Sequence, residues 1–257
     1  MQTFDGVTLS ADGKVAILAL NRPDSVNALS ESMMAGLNAA LDAVQAGSFR
    51  ALILTGNGRG FCSGADMKEL SAHRTKGAGQ VLERVFHPAF RRLRDLDMPI
   101  VTAVNGPAVG IGMSLALMGD LIVAARSAYF LLSFTRIGLA PDGGITWLLP
   151  RLIGLARARE MALLAEKLPA EKALEWGLIN GVVDEARLMD EAMALARRLA
   201  EGPAALALTR KLLWDREGHE AQLAREAQAQ QRAGVTEDFA EGLAAFQEKR
   251  EPIFRQK

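Results

Sequence analysis

Asn105-Gly106-Pro107-Ala108-Val109-Gly110-Ile111-Gly112 opens the stretch around which the chain is organised, and Gly138-Leu139-Ala140-Pro141-Asp142-Gly143-Gly144 closes it. Between them the pattern predicts a short apolar helix and a strand. Glycine lets backbone approach a ligand closely, and a helix start presents N–H groups with no intrahelical partner. Such a place can hold negative charge that develops on an oxygen. Asp142 sits in a tight turn across from it. The pair of turns reads as an anion-stabilising backbone site with a single carboxylate for moving protons.

Working outward, Val7–Ser10 and Val15–Leu20 read as a hairpin about Asp12-Gly13. Ser30 is a candidate N-cap for a helix to Ala46, with Met33, Leu37, Leu41 and Val44 on one face. Ala51–Thr55, Ile100–Val104 and Leu121–Ala125 are short apolar strands of the doubly covered kind. The first runs into the loop Gly56-Asn57-Gly58-Arg59-Gly60-Phe61-Cys62-Ser63-Gly64-Ala65-Asp66-Met67. Ala72–Gln80 reads as a mobile loop and Val81–Leu96 as one helix. Strands alternating with helices place the chain in the α/β class with a mostly parallel sheet. After Trp147 the pattern turns helical over Ala156–Leu164, Ala170–Trp176 and Leu188–Ala200, with Gly177 as a stop and Val182-Val183 as a brief extended piece. From Pro203 the chain is Ala-, Gln- and Glu-rich helix. A boundary at Glu201-Gly202-Pro203 separates residues 1–200 from 201–257.

Composition narrows the function classes. The 257 residues suffice for a substantial core, and 49% hydrophobic with 23% charged residues is ordinary for a soluble globular protein. Thirty basic and thirty acidic residues cancel, which favours neither nucleic acid nor an anionic membrane as partner. The single cysteine, Cys62, excludes an internal disulfide and suits a reducing compartment. No run reaches membrane-spanning length, and Met1-Gln2-Thr3-Phe4-Asp5 lacks the regions of a signal peptide. The expected location is cytoplasmic.

Several motifs fall away on inspection. Gly56, Gly58, Gly60 and Gly64 follow a strand, but their spacing misses the dinucleotide fingerprint. His73, His87 and His219 are scattered, with no nucleophile pattern and no metal-ligand spacing, so no metal is expected. Ser63 and Ser114 lack a nucleophile elbow. Cys62 reads as a small buried residue. Asp142, after proline and before glycine, reads by spacing alone as an ordinary turn and cap residue rather than a catalytic one.

Four segments in order carry a resemblance. They are Asn21-Arg22-Pro23 with Val26-Asn27-Ala28-Leu29, Phe61-Cys62-Ser63-Gly64-Ala65-Asp66, Asn105–Gly112 and Gly138–Gly144. Together with Gly242-Leu243-Ala244-Ala245-Phe246 and Lys249-Arg250, they resemble the enoyl-CoA hydratase/isomerase (crotonase) superfamily over nearly the whole chain. The resemblance implies a crotonase-like spiral of ββα units with a helical C-terminal trimerisation region, and a homotrimer or dimer of trimers. It implies an acyl-CoA thioester as substrate, with CoA part of that substrate and no separate cofactor. The backbone N–H groups of Ala65 and Ile111 would form an oxyanion hole. Asp24, Val26 and Ala28, with Ala65, Asp66 and Met67, would lie along CoA, and Phe246 and Lys249 would reach the CoA of a neighbouring subunit.

The departures bear on the reaction. Hydratases of this family carry two glutamates that position water and move protons, and this chain has Ser114 and Phe134 at those positions. Neither is a general base at neutral pH. Asp142 remains, where some isomerases of the superfamily carry their only acid, and this position turns the balance towards catalysis. Phe134–Asp142, Thr146–Arg151 and Glu175–Ile179 resemble the branches that isomerise enoyl-CoA and ring-epoxide thioesters, although Gly143-Gly144-Ile145 stands where Cys-Gly-Gly is usual there. The expected function is an acyl-CoA isomerase that shifts a double bond or isomerises a ring. The alternatives are an atypical hydratase and an inactive acyl-CoA-binding homologue. Burial by Phe134, Ile145 and Trp147 is expected to raise the pKa of Asp142.

Overall fold

Apolar runs too short for helices and flanked by glycine become the strands of one large sheet. A computed structural model describes residues 1–72 and 77–255. The strands are β1 (Gln2–Phe4), β2 (Val7–Asp12), β3 (Val15–Leu20), β4 (Ala51–Gly56), β5 (Ile100–Val104), β6 (Ala108–Val109), β7 (Leu121–Ala125), β8 (Tyr129–Leu131), β9 (Leu168–Pro169) and β10 (Gly181–Val183). Seven form the main sheet in the order β1-β2-β3-β4-β5-β7-β10, and β6-β8-β9 form a small second sheet. The first three strands are antiparallel, as expected of the hairpin, and β3 through β10 run parallel.

The helices are α1 (Glu31–Ala46), α2 (Met67–Ala72), α3 (Ala78–Val81), α4 (His87–Asp95), α5 (Ile111–Ala116), α6 (Ile145–Leu164), α7 (Ala170–Glu175), α8 (Leu188–Glu201), α9 (Ala205–Leu213), α10 (Arg216–Ala233) and α11 (Glu237–Glu248). Ser30 caps α1 as predicted, its hydroxyl accepting from Met33 N at 3.1 Å. Parallel strands need crossovers, and these put helices on both faces of the sheet. Strand alternation then sorts the side chains. Ala51, Ile53, Val101, Ala103 and Val123 meet Leu188, Ala192 and Ala196 of α8, while Leu52, Leu54, Ile100 and Val104 belong to the larger core with α1 and α4.

Three local expectations change. Ala78–Gln80, expected in a loop, begin α3, where Gly79 lets the helix press on the backbone of Ala227. Residues 73–76 of that expected loop lie outside the described residues. The single helix over Val81–Leu96 is interrupted by a π-helical turn at Leu82–Phe86, which widens the ladder and turns Leu82 and Phe86 towards an interior cavity. Helix α6 begins eleven residues before the predicted Ala156 and breaks at Gly154, whose φ of 79° is non-helical.

The C-terminal helices are tied back onto the sheet domain. Arg210 of α9 is buried and donates to the carbonyls of Leu93, Arg94 and Leu96 at 2.8, 2.6 and 3.0 Å. These are carbonyls that the end of α4 leaves without intrahelical partners. Arg210 also pairs with Asp120 Oδ2 at 2.6 Å. Trp147 of α6 stacks on Trp214 with centroids 5.6 Å apart, and His219 meets both rings edge-on. Among the described residues, no helix is long and apolar enough to cross a membrane.

Candidate active site

In an open parallel sheet the segments leaving the C-terminal strand ends build the ligand site. Here β4 leads into the loop that ends at Ala65, and the adjacent β5 leads through Asn105–Gly110 into α5. The two loops are stitched together: Cys62 N donates to Pro107 O at 3.0 Å and Val109 N to Cys62 O at 2.9 Å. Gly112 is required by this contact, since a Cβ there would lie 2.7 Å from the Cys62 side chain and backbone. Gly110 turns the chain into α5 at φ 55° and ψ −129°, a conformation open to glycine.

The hydrogen bonding leaves two amides over. Leu29 N donates to Gly64 O at 2.8 Å and Asp66 N donates to Leu29 O at 2.9 Å. This parallel bridge occupies the residues either side of Ala65, whose own N–H faces away from Leu29. Ile111 is the first residue of α5, where an N–H has no intrahelical partner. Among the described residues, neither amide donates to a backbone carbonyl. Ala65 and Ile111 both line a cavity of about 70 Å³, and Asp142 lines it too. Met67, Leu82, Phe86, Phe134, Ile137 and Leu139 supply much of its apolar wall.

Asp142 is 6% exposed. Ser114 Oγ donates to its backbone carbonyl at 2.8 Å, so the residue at one hydratase position supports the turn. Gln230 Nε2, from α10, donates to Asp142 Oδ2 at 2.9 Å and to Ala140 O at 2.7 Å. Asp142 Oδ1 is buried without a partner. Burial, reinforced by the charge of Glu226, holds the Asp142 carboxyl well above the usual range, against the lowering effect of the Gln230 bond. The direction is the expected one, with burial as its largest cause, and Glu226 adds to it.

Glu226 lies 3% exposed, one turn before Gln230. Its Oε2 accepts from Gly144 N at 2.6 Å; its Oε1 accepts from Thr146 N at 2.9 Å and from the Thr146 hydroxyl. Burial outweighs these donors and pushes it up to about 7. Sequence reading passed over Glu226 and Gln230 as part of a polar helix. The signal was present, because Leu223, Glu226, Ala227 and Gln230 share the spacing of one helix face, and all four are buried.

The remaining predicted residues fall into two groups. Asp24 is exposed on a 3₁₀ turn at Pro23–Ser25, followed by Val26 and Asn27 at positive φ of 52° and 57°. Buried Asn27 turns its Nδ2 to the carbonyls of Asn57, Gly60 and Phe61, and its Oδ1 accepts from Arg22 N. Arg22 joins Ala28 O at 2.6 Å to Asp66 Oδ2 at 3.0 Å. Thus Asp24, Val26, Ala28 and Asp66 form one loop surface beside Ala65 and Met67. Phe246 and Lys249 are exposed at the end of α11 and do not line the cavity. Among the described residues, no group of histidine, cysteine, aspartate and glutamate is placed to hold a metal.

The profile of the Enoyl-CoA hydratase/isomerase family matches residues 10–257. The chain belongs to the enoyl-CoA hydratase/isomerase family. Relatives within it carry both kinds of name. The chain is 44% identical to the 1,2-epoxyphenylacetyl-CoA isomerase of Escherichia coli over 93% of this chain and 94% of that protein. It is also 44% identical, with the same coverage of both chains, to a probable enoyl-CoA hydratase of Rhodobacter capsulatus. The crotonase fold is shared with solved structures. An enoyl-CoA hydratase from Mycobacterium avium subsp. paratuberculosis superposes with a TM-score of 0.86 at 34% identity, covering 99% of this chain and 100% of that one. An enoyl-CoA hydratase/isomerase from Pseudoalteromonas atlantica gives 0.87 at 31% identity, covering 97% and 99%.

Proposed function

We propose that this protein is an acyl-CoA isomerase that moves a double bond, or isomerises a ring, through an enolate and one acid/base residue. The observation that carries this reading is Asp142, whose Oδ1 is buried without a partner, lining the same cavity as Ala65 and Ile111, whose amides are free of backbone partners. A 3-enoyl thioester placed with its carbonyl oxygen on Ala65 N–H and Ile111 N–H presents its C2 proton to Asp142. Removing that proton gives a dienolate held by the two donors, and Asp142 returns the proton at C4. An oxyanion donor contributes about 10²–10³-fold and a positioned base about 10²–10⁴-fold, which together suit a proton shuttle.

Adding water asks for a second acid/base group. Glu226 is the nearby candidate, but its oxygens are occupied by Gly144 and Thr146, and it does not line the cavity. Ser114 is committed to the Asp142 carbonyl and Phe134 is a wall. Phe86 and Phe134 favour a compact or ring-bearing acyl group. CoA enters as part of the substrate along the Asp24–Ala28 and Asp66–Met67 surface, and no resident cofactor takes part. The assembly is a homotrimer or dimer of trimers, with Phe246 and Lys249 reaching a neighbouring subunit's CoA.

Incubation with a 3-enoyl-CoA in deuterated water, read by mass spectrometry, tests the reading. A conjugated isomer and no hydrate is the expected product, with deuterium entering only as far as the Asp142 carboxyl exchanges its proton with solvent before returning it. A 3-hydroxyacyl product would overturn it in favour of hydration. Unaltered substrate across linear and ring-bearing thioesters that bind would leave an acyl-CoA-binding protein.

A further inference from the structure

Helix α10 brings a second group to Asp142 besides Glu226. Gln230 is 2% exposed, and its side-chain amide donates to two oxygens on either side of Pro141: Ala140 O and Asp142 Oδ2. Both are acceptors, so the NH₂ end of the amide faces them; the flipped amide would set oxygen against two oxygens. Proline has no N–H to tie this turn internally. The two donors of one side chain therefore span it from outside. They also make the oxygens of Asp142 unequal. Oδ2 is engaged, whereas Oδ1 is buried and unpartnered in a residue that lines the cavity.

We infer that Gln230 is a positioning residue for the reaction, which pins Asp142 Oδ2 and the Ala140 carbonyl so that Oδ1 alone carries the travelling proton. This rests on the proposed role of Asp142 as the acid/base. A carboxylate held at one oxygen and at its own backbone carbonyl by Ser114 keeps one direction of approach to C2 and C4. Without the amide, the carboxyl can rotate and share the proton between two oxygens, only one of which faces substrate. The C-terminal helical region then completes the site within one chain.

The charged groups around Asp142 are few. Glu226 on α10 acts on it directly. Further back, His219 on the same helix lies against Gly144 and contacts Arg94 of α4, which pairs with Glu220. Burial, with Arg94, pushes His219 down to about 4; burial also lowers His87 of α4. Both rings are neutral near pH 7, leaving burial, then Glu226, and against them the Gln230 hydrogen bond, to set the Asp142 carboxyl.

Gln230→Met and Gln230→Asn in the full chain test the inference, with Asp142→Asn in parallel. Methionine keeps the volume and loses both donors. Asparagine keeps an amide but stops one methylene short, and carries the test if the methionine variant does not fold. Misplacing a reacting group costs about 10²-fold, so kcat falls by about that factor while KM for the thioester stays unchanged. The acid limb of kcat moves to higher pH, because the carboxylate loses a hydrogen bond that favours its charged form. A folded variant with parental kcat and an unmoved limb overturns the inference, as does a loss confined to KM. If Asp142→Asn itself retains activity, the acid/base assignment has failed rather than the role of Gln230 alone.

Discussion

Replacing Glu226 with Gln isolates the buried carboxylate behind Asp142. Burial pushes Glu226 from 4.5 up to about 7 despite three donors. Between these values the unfolded chain has released a proton that the folded protein still holds, so stability falls as pH rises. At about 1.4 kcal/mol per unit, the decline from this group reaches about 3 kcal/mol near pH 7 and persists above it. Glutamine cannot ionise and has no such decline. Its one oxygen still serves Thr146, but its NH₂ then faces the Gly144 N–H, and an unsatisfied buried donor costs about 1–3 kcal/mol. The variant should therefore be less stable than the parent by about that amount near pH 5. By about pH 8 it should match or exceed the parent, since the ionisation penalty is present only in the parent. Urea unfolding at the two pH values measures both differences. A deficit of the same size at each would refute the reasoning. The substitution also removes a negative charge that helps raise Asp142, so the acid limb of kcat should move to lower pH.

Asp142→Asn should lower kcat by about 10²–10⁴-fold and leave thioester affinity unchanged, as measured by turnover and calorimetry. Because the folded carboxyl stays protonated well above 3.8, its ionisation destabilises the fold as pH rises, and the Asn variant should melt no lower than the parent above neutrality. Ile111→Pro deletes an N–H at the first helical position, where proline is tolerated, and should lower kcat by about 10²–10³-fold. Ile111→Ala loses a similar side chain but keeps the N–H, and equal losses in the two would count against a backbone donor. Arg210→Met strands Asp120 and three carbonyls at the end of α4 and should cost about 3–5 kcal/mol in denaturant unfolding. Adding Asp120→Asn should recover part of that loss in a double-mutant cycle.

Much of the frame was legible because its signals are local. Short apolar runs between glycines became β4, β5 and β7 with little change in bounds. Ser30 capped α1, and Gly177 ended α7 at φ 79°. The interruption at Leu82–Phe86 was illegible, because a π turn keeps nearly the same apolar spacing as the α-helix predicted there.

For the site, the sequence by itself determined which residues could serve. Glycines at 110 and 112 mark backbone brought close to a neighbouring loop, and the order of four motifs singled out Ala65, Ile111 and Asp142. The glycines follow from backbone requirements, while Ala65, Ile111 and Asp142 follow from the resemblance that the ordered motifs carry; both travel with the chain wherever it goes. Only the tertiary structure decided what surrounds Asp142. Gln230 and Glu226 reach its turn from 88 and 82 residues away, and in sequence they are two polar residues of a polar helix. Their burial against the Asp142 turn depends on α10 docking there, helped by Arg210 and the Trp147–Trp214–His219 cluster. Burial is a property of neighbours, and removal from water is the largest cause raising both carboxyls.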